Sequence, residues 1–310
     1  MRTAAVFPGQ GAQYVGMGRE LAERFPEARE IFARAGAALG FDLFRLCTEG
    51  PEEALRQTAN AQPAILVTSL ACLATLPFEP ECAAGLSLGE YAALVCAGSL
   101  AFEDAVRLVR IRGTYMQEAC AGRDTMMAAV IGLSPDKLPA VCGVPASLGT
   151  VEPSNFNSPG QVVIGGDAAA VKAAIEAAKV HGARRAVPLA VSAPFHTRFM
   201  EPAAERLAAD LERVPIAPAR FPVFANVSAA PVRRPDEIRR ALLQQIASPV
   251  RWEQSVRAMH DAGVRLFVEA GPGTSISGMI KRTVTAETCH VEDLASREAA
   301  ARALAEWRNG

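Results

Sequence analysis

The sequence predicts an α/β fold with a mostly parallel sheet, and two observations carry this prediction. Short apolar strands alternate with alanine-rich helices over residues 1–122, and the alternation resumes at residue 193 and continues to residue 310. Residues 123–192 change to a different order of elements. We therefore expect a large domain formed by residues 1–122 and 193–310, with a small domain of residues 123–192 inserted into it.

The large domain begins with an apolar strand at residues 3–7 and has a second strand at residues 82–86. Alanine-rich or amphipathic runs predict helices around these strands at 19–39, 51–57, 61–76, 90–97 and 101–119. Farther along the chain, strands at 223–226 and 266–269 and a helix at 235–246 continue the pattern. Helices between consecutive strands are the crossovers that a parallel sheet requires.

The inserted stretch has the order β-α-β-β-α-β, which is the ferredoxin-like order. Its predicted elements are a strand at 125–132, a helix at 134–142, strands at 148–155 and 161–165, a helix at 167–181 and a strand at 184–191. Ser134, which precedes Pro135, and Asp167 stand at the expected helix starts, where these residue types are favoured. The cleft between the two domains is the expected place for a ligand.

Residues 84–90, Ala-Gly-Leu-Ser-Leu-Gly-Glu, place Ser87 in a Gly-x-Ser-x-Gly frame between a predicted strand and a predicted helix. Such a sharp turn exposes the serine Oγ and requires small residues two positions away, as in the nucleophile turn of α/β-hydrolase-like domains. The backbone N–H of Leu88, at the start of the following helix, can face a developing oxyanion. The motif predicts Ser87 as a nucleophile in an α/β-hydrolase-like large domain; a glycine-rich turn with a solvated serine is the alternative.

A second glycine-rich loop follows the first strand, with the sequence Phe-Pro-Gly-Gln-Gly-Ala-Gln-Tyr-Val-Gly-Met-Gly at residues 7–18. Its glycines let the backbone approach a ligand closely, but their spacing is that of neither dinucleotide-binding nor phosphate-binding loops. A serine acyl-transfer site requires a second oxyanion donor, and Gln10 is best placed to supply one from its backbone N–H. A tight turn without a ligand is the alternative.

There are few candidates for a general base, because only four histidines are present. His181, His260 and His290 have simple structural explanations at a helix end, in a polar helix and near the last strand. His196 lies where the chain returns to the large domain, on the side of the cleft expected to face Ser87. His196 is therefore the candidate for the base, and a structural histidine is the alternative.

Four further motifs accompany the two glycine-rich loops: Arg-Ile-Arg-Gly-Thr-Tyr-Met-Gln at 110–117, Asn-Phe-Asn-Ser-Pro-Gly-Gln at 155–161, Ala-Pro-Phe-His at 193–196 and Glu-Ala-Gly-Pro-Gly at 269–273. In this order the six motifs resemble the malonyl-CoA:acyl carrier protein transacylases of fatty acid and polyketide synthesis. The resemblance runs from about residue 3 to about residue 295. One position departs from the pattern, because the family usually has histidine immediately before the nucleophile and this chain has Leu86.

The resemblance implies an acyl-transfer site. It implies that Ser87 and His196 form a dyad and that a backbone carbonyl, matched here by Gln245, orients the imidazole where other enzymes use a carboxylate. Any acceptor for Nδ1–H leaves Nε2 free to take the serine proton. The resemblance also implies that Arg112 pairs with the free carboxylate of a malonyl group, for which a planar guanidinium is suited.

Other positions bear on substrate choice. Phe195 stands where family members that prefer malonyl carry phenylalanine, and a bulky ring crowds an α-methyl group, although one methyl is worth only about 1–3 kcal/mol. Leu86 adds apolar surface beside the nucleophile. Gln10, Asn157 and Gln161 are candidates for a polar lining, and each is equally explained as a loop residue bonded to its own backbone.

The composition of the chain argues against several other classes of protein. The net charge is -1 with both signs interspersed, which gives no nucleic-acid-binding signature. No apolar run is long enough to span a bilayer and no signal-peptide pattern is present, so we expect a cytoplasmic protein that does not act at a membrane. The seven cysteines are scattered, so we expect reduced thiols and no metal. We also expect a monomer, with no cofactor beyond the substrates.

The expected partner is an acyl carrier protein, and the expected small-molecule substrate is malonyl-CoA. Carrier proteins of this kind are acidic, so a basic patch should flank the cleft. The candidates, each equally explained as solubilising surface, are Lys179, Arg184, Arg185, Lys281 and Arg282.

The predicted function is transfer of a malonyl group from malonyl-CoA to the phosphopantetheine thiol of an acyl carrier protein through a seryl ester. Two alternatives stay open, namely the same chemistry acting in trans on a polyketide synthase and hydrolysis of acyl groups from stalled carriers. Arg112 argues against the hydrolase, which needs no group to hold a carboxylate. A non-catalytic carrier-docking module is disfavoured because Ser87 and His196 are both present.

Overall fold

The computed structural model describes residues 2–191 and 193–309, so Met1, Ser192 and Gly310, at the ends of the expected domains, lie outside the described residues. The strands in this part of the chain are β1 (Arg2–Phe7), β2 (Cys82–Gly85), β3 (Thr125–Ile131), β4 (Val151–Ser158), β5 (Gln161–Asp167), β6 (Arg185–Pro188), β7 (Val223–Phe224), β8 (Pro231–Val232), β9 (Val264–Ala270) and β10 (Glu287–Val291). The α-helices are α1 (Arg19–Arg24), α2 (Pro26–Leu39), α3 (Leu43–Glu49), α4 (Glu52–Arg56), α5 (Thr58–Ala74), α6 (Gly89–Cys96), α7 (Phe102–Glu118), α8 (Leu138–Cys142), α9 (Ala168–Val180), α10 (Glu201–Arg213), α11 (Pro235–Ile246), α12 (Trp252–Asp261), α13 (Ser275–Thr283) and α14 (Leu294–Asn309).

The larger sheet has six strands in the order β10-β9-β1-β2-β7-β8. Neighbouring strands from β10 to β7 are parallel, and β8 pairs with β7 in the antiparallel direction at the edge. The central strands β1 and β2 consist of small and apolar residues that are buried on both faces, apart from Arg2 at the start of β1. Helices cover both faces of such a sheet. The predicted α/β fold with a mostly parallel sheet is confirmed.

The second sheet is antiparallel and has the strand order β4-β5-β3-β6. Its elements follow one another as strand, helix, strand, strand, helix, strand, because α8 lies between β3 and β4 and α9 lies between β5 and β6. One face of α9, which includes Val171 and Ala174, packs on the strands and forms an apolar core separate from that of the larger sheet. The predicted order of elements in this stretch is therefore present.

Helices α5 and α7 position the site described below. Helix α5 is buried along most of its length, and α7 is amphipathic with a buried face. A Cβ atom at Gly113 of α7 would lie 2.6 Å from the carbonyl oxygen of Thr58, so glycine lets the two helices approach closely. The approach brings Arg112 beside Gln62 of α5.

The boundaries of several elements differ from the prediction. The single helix predicted at 19–39 is broken at Phe25, whose backbone is extended, because the residue before a proline is excluded from helical geometry. The helix predicted to begin at residue 134 instead begins with a turn of 3₁₀-helix, Pro135–Lys137. Neither Ser134 nor Asp167 caps a helix with its side chain; Asp167 accepts from the backbone N–H of Thr150 at 2.8 Å.

Two further observations concern the chain as a whole. Within residues 2–191 and 193–309, none of the helices combines the length and the apolar character needed to cross a bilayer. The seven cysteines are free thiols, and Cys47, Cys72, Cys82 and Cys120 are buried.

Candidate active site

Ser87 lies in a sharp turn between β2 and α6. Its backbone has φ 55°, in the left-handed region that a non-glycine residue rarely adopts. A Cβ atom at Gly85 would lie 2.0 Å from the backbone of Gly89, and a Cβ atom at Gly89 would lie 2.4 Å from the carbonyl oxygen of Phe7. The two glycines of the motif are therefore required by the close approach of β1, β2 and α6.

The turn directs the Ser87 side chain at His196. Ser87 Oγ and His196 Nε2 are 2.6 Å apart, and His196 Nδ1 is 2.8 Å from the carbonyl oxygen of Gln245. The carbonyl accepts only from a protonated Nδ1, so in the neutral ring Nε2 is the acceptor for the serine proton. Burial, reinforced by the nearby guanidinium of Arg112, lowers the pKa of His196 to about 3. The imidazole is therefore neutral at physiological pH and free to act as a base.

Arg112 reaches the same point from α7. Its side chain is fully buried, and Nη2 donates to Ser87 Oγ at 3.2 Å and to Gln245 Oε1 at 2.9 Å, while Nη1 donates to Gln62 Oε1 at 2.8 Å. These acceptors are uncharged, and among the described residues Arg112 has no carboxylate in ion-pair contact and no acceptor for Nε. Burial lowers the pKa of Arg112, but a guanidinium stays charged in proteins. Glu90 attracts this cation from the far side of Gln245 without touching it. The buried guanidinium beside the nucleophile therefore lacks an ion-pair partner in direct contact, which favours an anionic ligand.

The loop after β1 lies against the serine turn. A Cβ atom at Gly9 would be 2.6 Å from the carbonyl oxygen of Leu86, so the loop and the turn are in contact. The carboxyl ends of adjacent parallel strands place the Gln10 and Leu88 backbones here. Within the described ranges neither of these two N–H groups donates to any acceptor. Both are thus available to an oxyanion.

A cavity of about 660 Å³ opens over Ser87 and lies between the two sheets. Most of its walls come from the larger sheet and its helices. Met127, Asn155, Asn157 and Val163 come from the antiparallel sheet, and Leu189 directly follows the last strand of that sheet. The exposed members of the lining, among them Glu53, Arg56 and Gln57, mark the opening. The cavity is large enough for an extended thiol-linked acyl group.

A family model described as the acyl transferase domain matches residues 5–305. The chain belongs to the acyl transferase family. The malonyl CoA-acyl carrier protein transacylase of Escherichia coli (strain K12) is 45% identical over 302 residues, which cover 96% of this chain and 98% of that protein.

Solved structures agree with the family assignment. An acyl carrier protein S-malonyltransferase from Vibrio cholerae O1 biovar eltor has a TM-score of 0.93 and 43% identity, covering 97% of this chain and 100% of the other. A malonyl-transacylase in complex with a type II polyketide synthase acyl-carrier protein has a TM-score of 0.94 and 43% identity, covering 98% of this chain and 100% of the other. The resemblance stated from the motifs is confirmed.

In this acyl transferase, most of the residues expected at the site lie together. Phe195 is buried and lines the cavity. Asn157 also lines it, and its Oδ1 is buried without a hydrogen-bond partner among the described residues. Gln10 lines it as well, with Nε2 donating to Thr58 Oγ1 at 3.3 Å. Leu86 is half-buried, with one side toward the cavity and the other against the apolar cluster around Trp252.

Gln161 lies elsewhere. Its Oε1 accepts from Arg282 Nη2 at 3.2 Å and from Ser158 Oγ at 3.3 Å, at the turn that joins β4 to β5. It is not among the residues that line the cavity. The expectation that Gln161 completes the polar lining is therefore not met, because its side chain points to the turn and to α13.

The five expected basic residues are exposed, and none of them lines the cavity: Lys179, Arg184, Arg185, Lys281 and Arg282. Lys179 pairs with Glu176 at 2.7 Å. Arg184 lies close to Gly132, which in turn lies close to Gly160 in the turn contacted by Arg282. Arg184 and Arg282 thus belong to one surface around that turn.

Sequence reasoning missed three buried polar residues at the site. Gln62 holds Arg112, and Asn226 and Glu90 lie beneath the serine turn. The available signals were weak: Gln62 is an amide near the start of an apolar helix, Asn226 is the first polar residue after an apolar strand, and Glu90 directly follows the Gly-x-Ser-x-Gly frame. Glu269, the carboxylate of the last motif, instead accepts from the backbone N–H groups of Ile276 and Ser277 at the start of α13.

Proposed function

We propose that this acyl transferase moves a malonyl group from malonyl-CoA to the phosphopantetheine thiol of an acyl carrier protein, by way of an ester on Ser87. One observation carries the proposal. The buried guanidinium of Arg112 lies 3.2 Å from Ser87 Oγ, and its acceptors there are uncharged. An acyl group esterified to Ser87 and carrying a free carboxylate supplies the direct ion-pair partner that this cation lacks.

The first half-reaction loads the enzyme. His196 Nε2 takes the proton of Ser87 Oγ, and the oxygen attacks the thioester carbonyl of malonyl-CoA. The N–H groups of Gln10 and Leu88 bind the oxyanion. When the C–S bond breaks, the CoA sulfur takes the proton from His196. The carbonyl of Gln245 keeps the imidazole in the required orientation throughout.

The second half-reaction repeats these steps with a different nucleophile. His196 takes the proton of the carrier's phosphopantetheine thiol, and the sulfur attacks the malonyl ester. Collapse of the second oxyanion releases the malonyl thioester of the carrier and returns the proton to Ser87 Oγ. The pairing of the malonyl carboxylate with Arg112 fixes the ester carbonyl between the oxyanion donors, which favours attack by the tethered thiol over attack by water.

The charge of the acyl group affects the basicity of His196 through Arg112. The guanidinium of Arg112 contributes to the low pKa of His196. A malonyl carboxylate that pairs with Arg112 cancels part of this field and strengthens the base. An acetyl group leaves the field in place. Phe195 lines the cavity and, by its bulk, favours malonyl over methylmalonyl.

We propose the same division of the chain as before: a large α/β-hydrolase-like domain of residues 1–122 and 193–310, and a small ferredoxin-like domain of residues 123–192. The serine turn at the carboxyl end of a central parallel strand supports the first. The antiparallel order β4-β5-β3-β6 supports the second.

Partners and location follow from the chemistry. The Escherichia coli relative is named for its action on malonyl-CoA and acyl carrier protein, and another relative was solved with a carrier protein bound. We propose the same class of partner here, docking near Lys179, Arg184, Arg185, Lys281 and Arg282. The reaction needs no metal or other cofactor, since every proton transfer is assigned to serine, histidine or a thiol. A cytoplasmic monomer without nucleic-acid or membrane partners remains our prediction.

The function is tested by intact-mass spectrometry of the protein after brief exposure to a mixture of malonyl-, methylmalonyl- and acetyl-CoA. We expect a malonyl adduct that maps to Ser87 and disappears when a phosphopantetheinylated carrier is added, with the malonyl mass appearing on the carrier. An adduct lost to water at the same rate without a carrier would identify the hydrolase alternative. A comparison of carriers from fatty acid and polyketide systems in the same assay shows in which of the two pathways the enzyme acts.

The pH dependence follows from the state of His196. Its pKa is lowered to about 3, so the base stays neutral as the pH falls and loses activity only as the pH approaches that value. In Glu90→Gln, which removes the nearby carboxyl whose pKa burial raises to about 7, we expect kcat/KM for malonyl-CoA, which reports the free enzyme, to change by less than about twofold between about pH 7.5 and pH 5.5. A histidine of ordinary pKa loses about tenfold over this range. A tenfold loss centred near pH 6.5 would contradict the assignment.

Leu86→His tests the position that departs from the family pattern. Leu86 faces the cavity on one side, so a polar ring there can reach water and the acyl site. We expect the transfer rate to change by less than about tenfold, or roughly 1.4 kcal/mol. Its other side packs on an apolar cluster, so the melting temperature must be measured on the same variant. A large fall in melting temperature would show that Leu86 acts mainly as core.

A further inference from the structure

Asn226 lies directly beneath the serine turn and is fully buried. Its Oδ1 accepts from the backbone N–H of Ser87 at 2.6 Å, and its Nδ2 donates to the carbonyl oxygen of Gly85 at 2.7 Å. One amide side chain therefore bonds both sides of the turn.

These two bonds extend the hydrogen bonding between β2 and β7 past the point where the backbone of β7 can take part. Strand β7 pairs with β2 only at Val223 with Ala83 and at Phe224 with Ala84. Beyond that point β2 runs on into the turn, while the chain after β7 turns away toward β8. The amide of Asn226 supplies the acceptor and the donor that the next strand residues would have supplied.

Asn226 is itself held from the other side. Its backbone N–H donates to Glu90 Oε2 at 3.0 Å, and the same oxygen accepts from Gln245 Nε2 at 2.7 Å. Gln245 Nε2 also donates to the carbonyl oxygen of Ser87 at 3.0 Å. Side chains thus hold both the N–H and the carbonyl of Ser87, whose backbone is left-handed.

We propose that Asn226 is a positioning residue that holds Ser87 in its left-handed conformation. With the N–H of Ser87 bonded to Asn226, Oγ faces His196, and the next N–H along the chain, that of Leu88, is left to the oxyanion. A left-handed serine costs conformational energy, and the surrounding bonds must supply it. The proposal rests on the acyl-transfer function proposed above for the same site.

The first test compares Asn226→Ala with the wild type in malonyl transfer. Loss of the amide lets the turn relax without touching the acyl pocket, so we expect kcat to fall at least about tenfold while KM for malonyl-CoA stays within about threefold. Val171→Ala is the control, since Val171 is buried in the separate core of the second sheet. This control lowers the melting temperature and should leave kcat unchanged.

The second test uses Asn226→Asp, which has the shape of asparagine and a charge that depends on pH. When ionised, the new carboxylate faces the Gly85 carbonyl and Glu90, and these groups repel it. When protonated, its O–H donates to Gly85 and its other oxygen accepts from Ser87. Two cationic residues are linked to this network: Arg112 is bonded to Gln245, and the backbone N–H of Arg251 donates to the Asn226 carbonyl.

Glu90 also titrates in this region, since burial raises its pKa to about 7. The readout is therefore the ratio of variant to wild-type kcat at each pH. We expect this ratio to be lowest near pH 8.5 and to rise at least about fivefold toward pH 6. A purely structural role gives no such recovery at constant fold.

The outcomes are distinct. If the wild type transfers malonyl and Asn226→Ala keeps its kcat, or loses kcat only in proportion to a fall in melting temperature matched by Val171→Ala, the positioning role is wrong. A pH-independent ratio for Asn226→Asp, or a variant that is unfolded even at pH 6, also overturns it. If the wild type forms no malonyl ester on Ser87, the proposed function fails instead.

Discussion

Ser87→Ala is expected to abolish the covalent malonyl adduct while the protein stays folded. Ser87 Oγ is 2.6 Å from His196 Nε2, and its removal takes away the atom that forms the ester. Malonyl transfer should fall by at least about 1,000-fold, because the remaining oxyanion donors cannot replace a covalent intermediate. Intact-mass spectrometry after exposure to malonyl-CoA measures the adduct, and circular dichroism checks the fold.

Ser99→Ala is the matched control for this variant. Ser99 is buried, and its hydroxyl has no hydrogen-bond partner among the described residues, so its loss should change neither the adduct nor the fold. A full-mass malonyl adduct on Ser87→Ala would show that another residue carries the acyl group.

Arg112→Ala is expected to remove the preference for malonyl. The variant loses the cation that pairs with the malonyl carboxylate, and kcat/KM for malonyl-CoA should fall by about 100-fold or more, roughly 3 kcal/mol. Acetyl-CoA has no carboxylate to pair, and loss of the positive field favours protonation of His196, so its kcat/KM should fall far less. The ratio of the two constants is the measurement.

Arg107→Ala, on the same helix, provides the control. Arg107 is half-exposed and its partner is Asp104, at 2.9 Å, so its loss should leave both constants unchanged. If malonyl and acetyl rates fall together in Arg112→Ala, the arginine supports the fold of the site rather than selecting the substrate.

The two predictions depend on one arrangement, in which the acyl carboxylate and the nucleophile share a cation. Arg112 donates to Ser87 Oγ itself. We expect a bound carboxylate to compete for the same guanidinium, which leaves Oγ, already 2.6 Å from His196 Nε2, bonded to the base alone. On the proposed mechanism, malonyl-CoA completes the catalytic site in a way that acetyl-CoA cannot.

Local sequence patterns were sufficient for the serine turn. Its geometry depends on residues within a few positions of Ser87, and Gly85 and Gly89 are required because a Cβ atom at either would meet backbone. The break before Pro26 was equally readable, since the residue before a proline is excluded from helical geometry. The amphipathic pattern of residues 19–39 continues across this break, so periodicity alone does not show it.

The buried polar residues around Ser87 and His196 could not be predicted from local sequence patterns. Gln62 lies 50 positions from Arg112, Asn226 lies 139 positions from Ser87, and Gln245 lies 155 positions from Glu90. No local pattern marks an amide that will be buried against a distant backbone group. Gln161 is the opposite case. It lies in a motif of the family, but its side chain points away from the cavity and bonds to Arg282.

The sequence by itself therefore determined the α/β class, the nucleophile turn, the family and the identity of Ser87, His196 and Arg112 as candidates, since each depends on short-range geometry or on ordered motifs. Only the tertiary structure decided which polar groups hold these three in place, and which of the expected lining residues face the cavity. The physical reason is that a buried polar group must find its partner wherever the packing of the whole chain brings one, and that packing depends on long-range contacts between helices and strands.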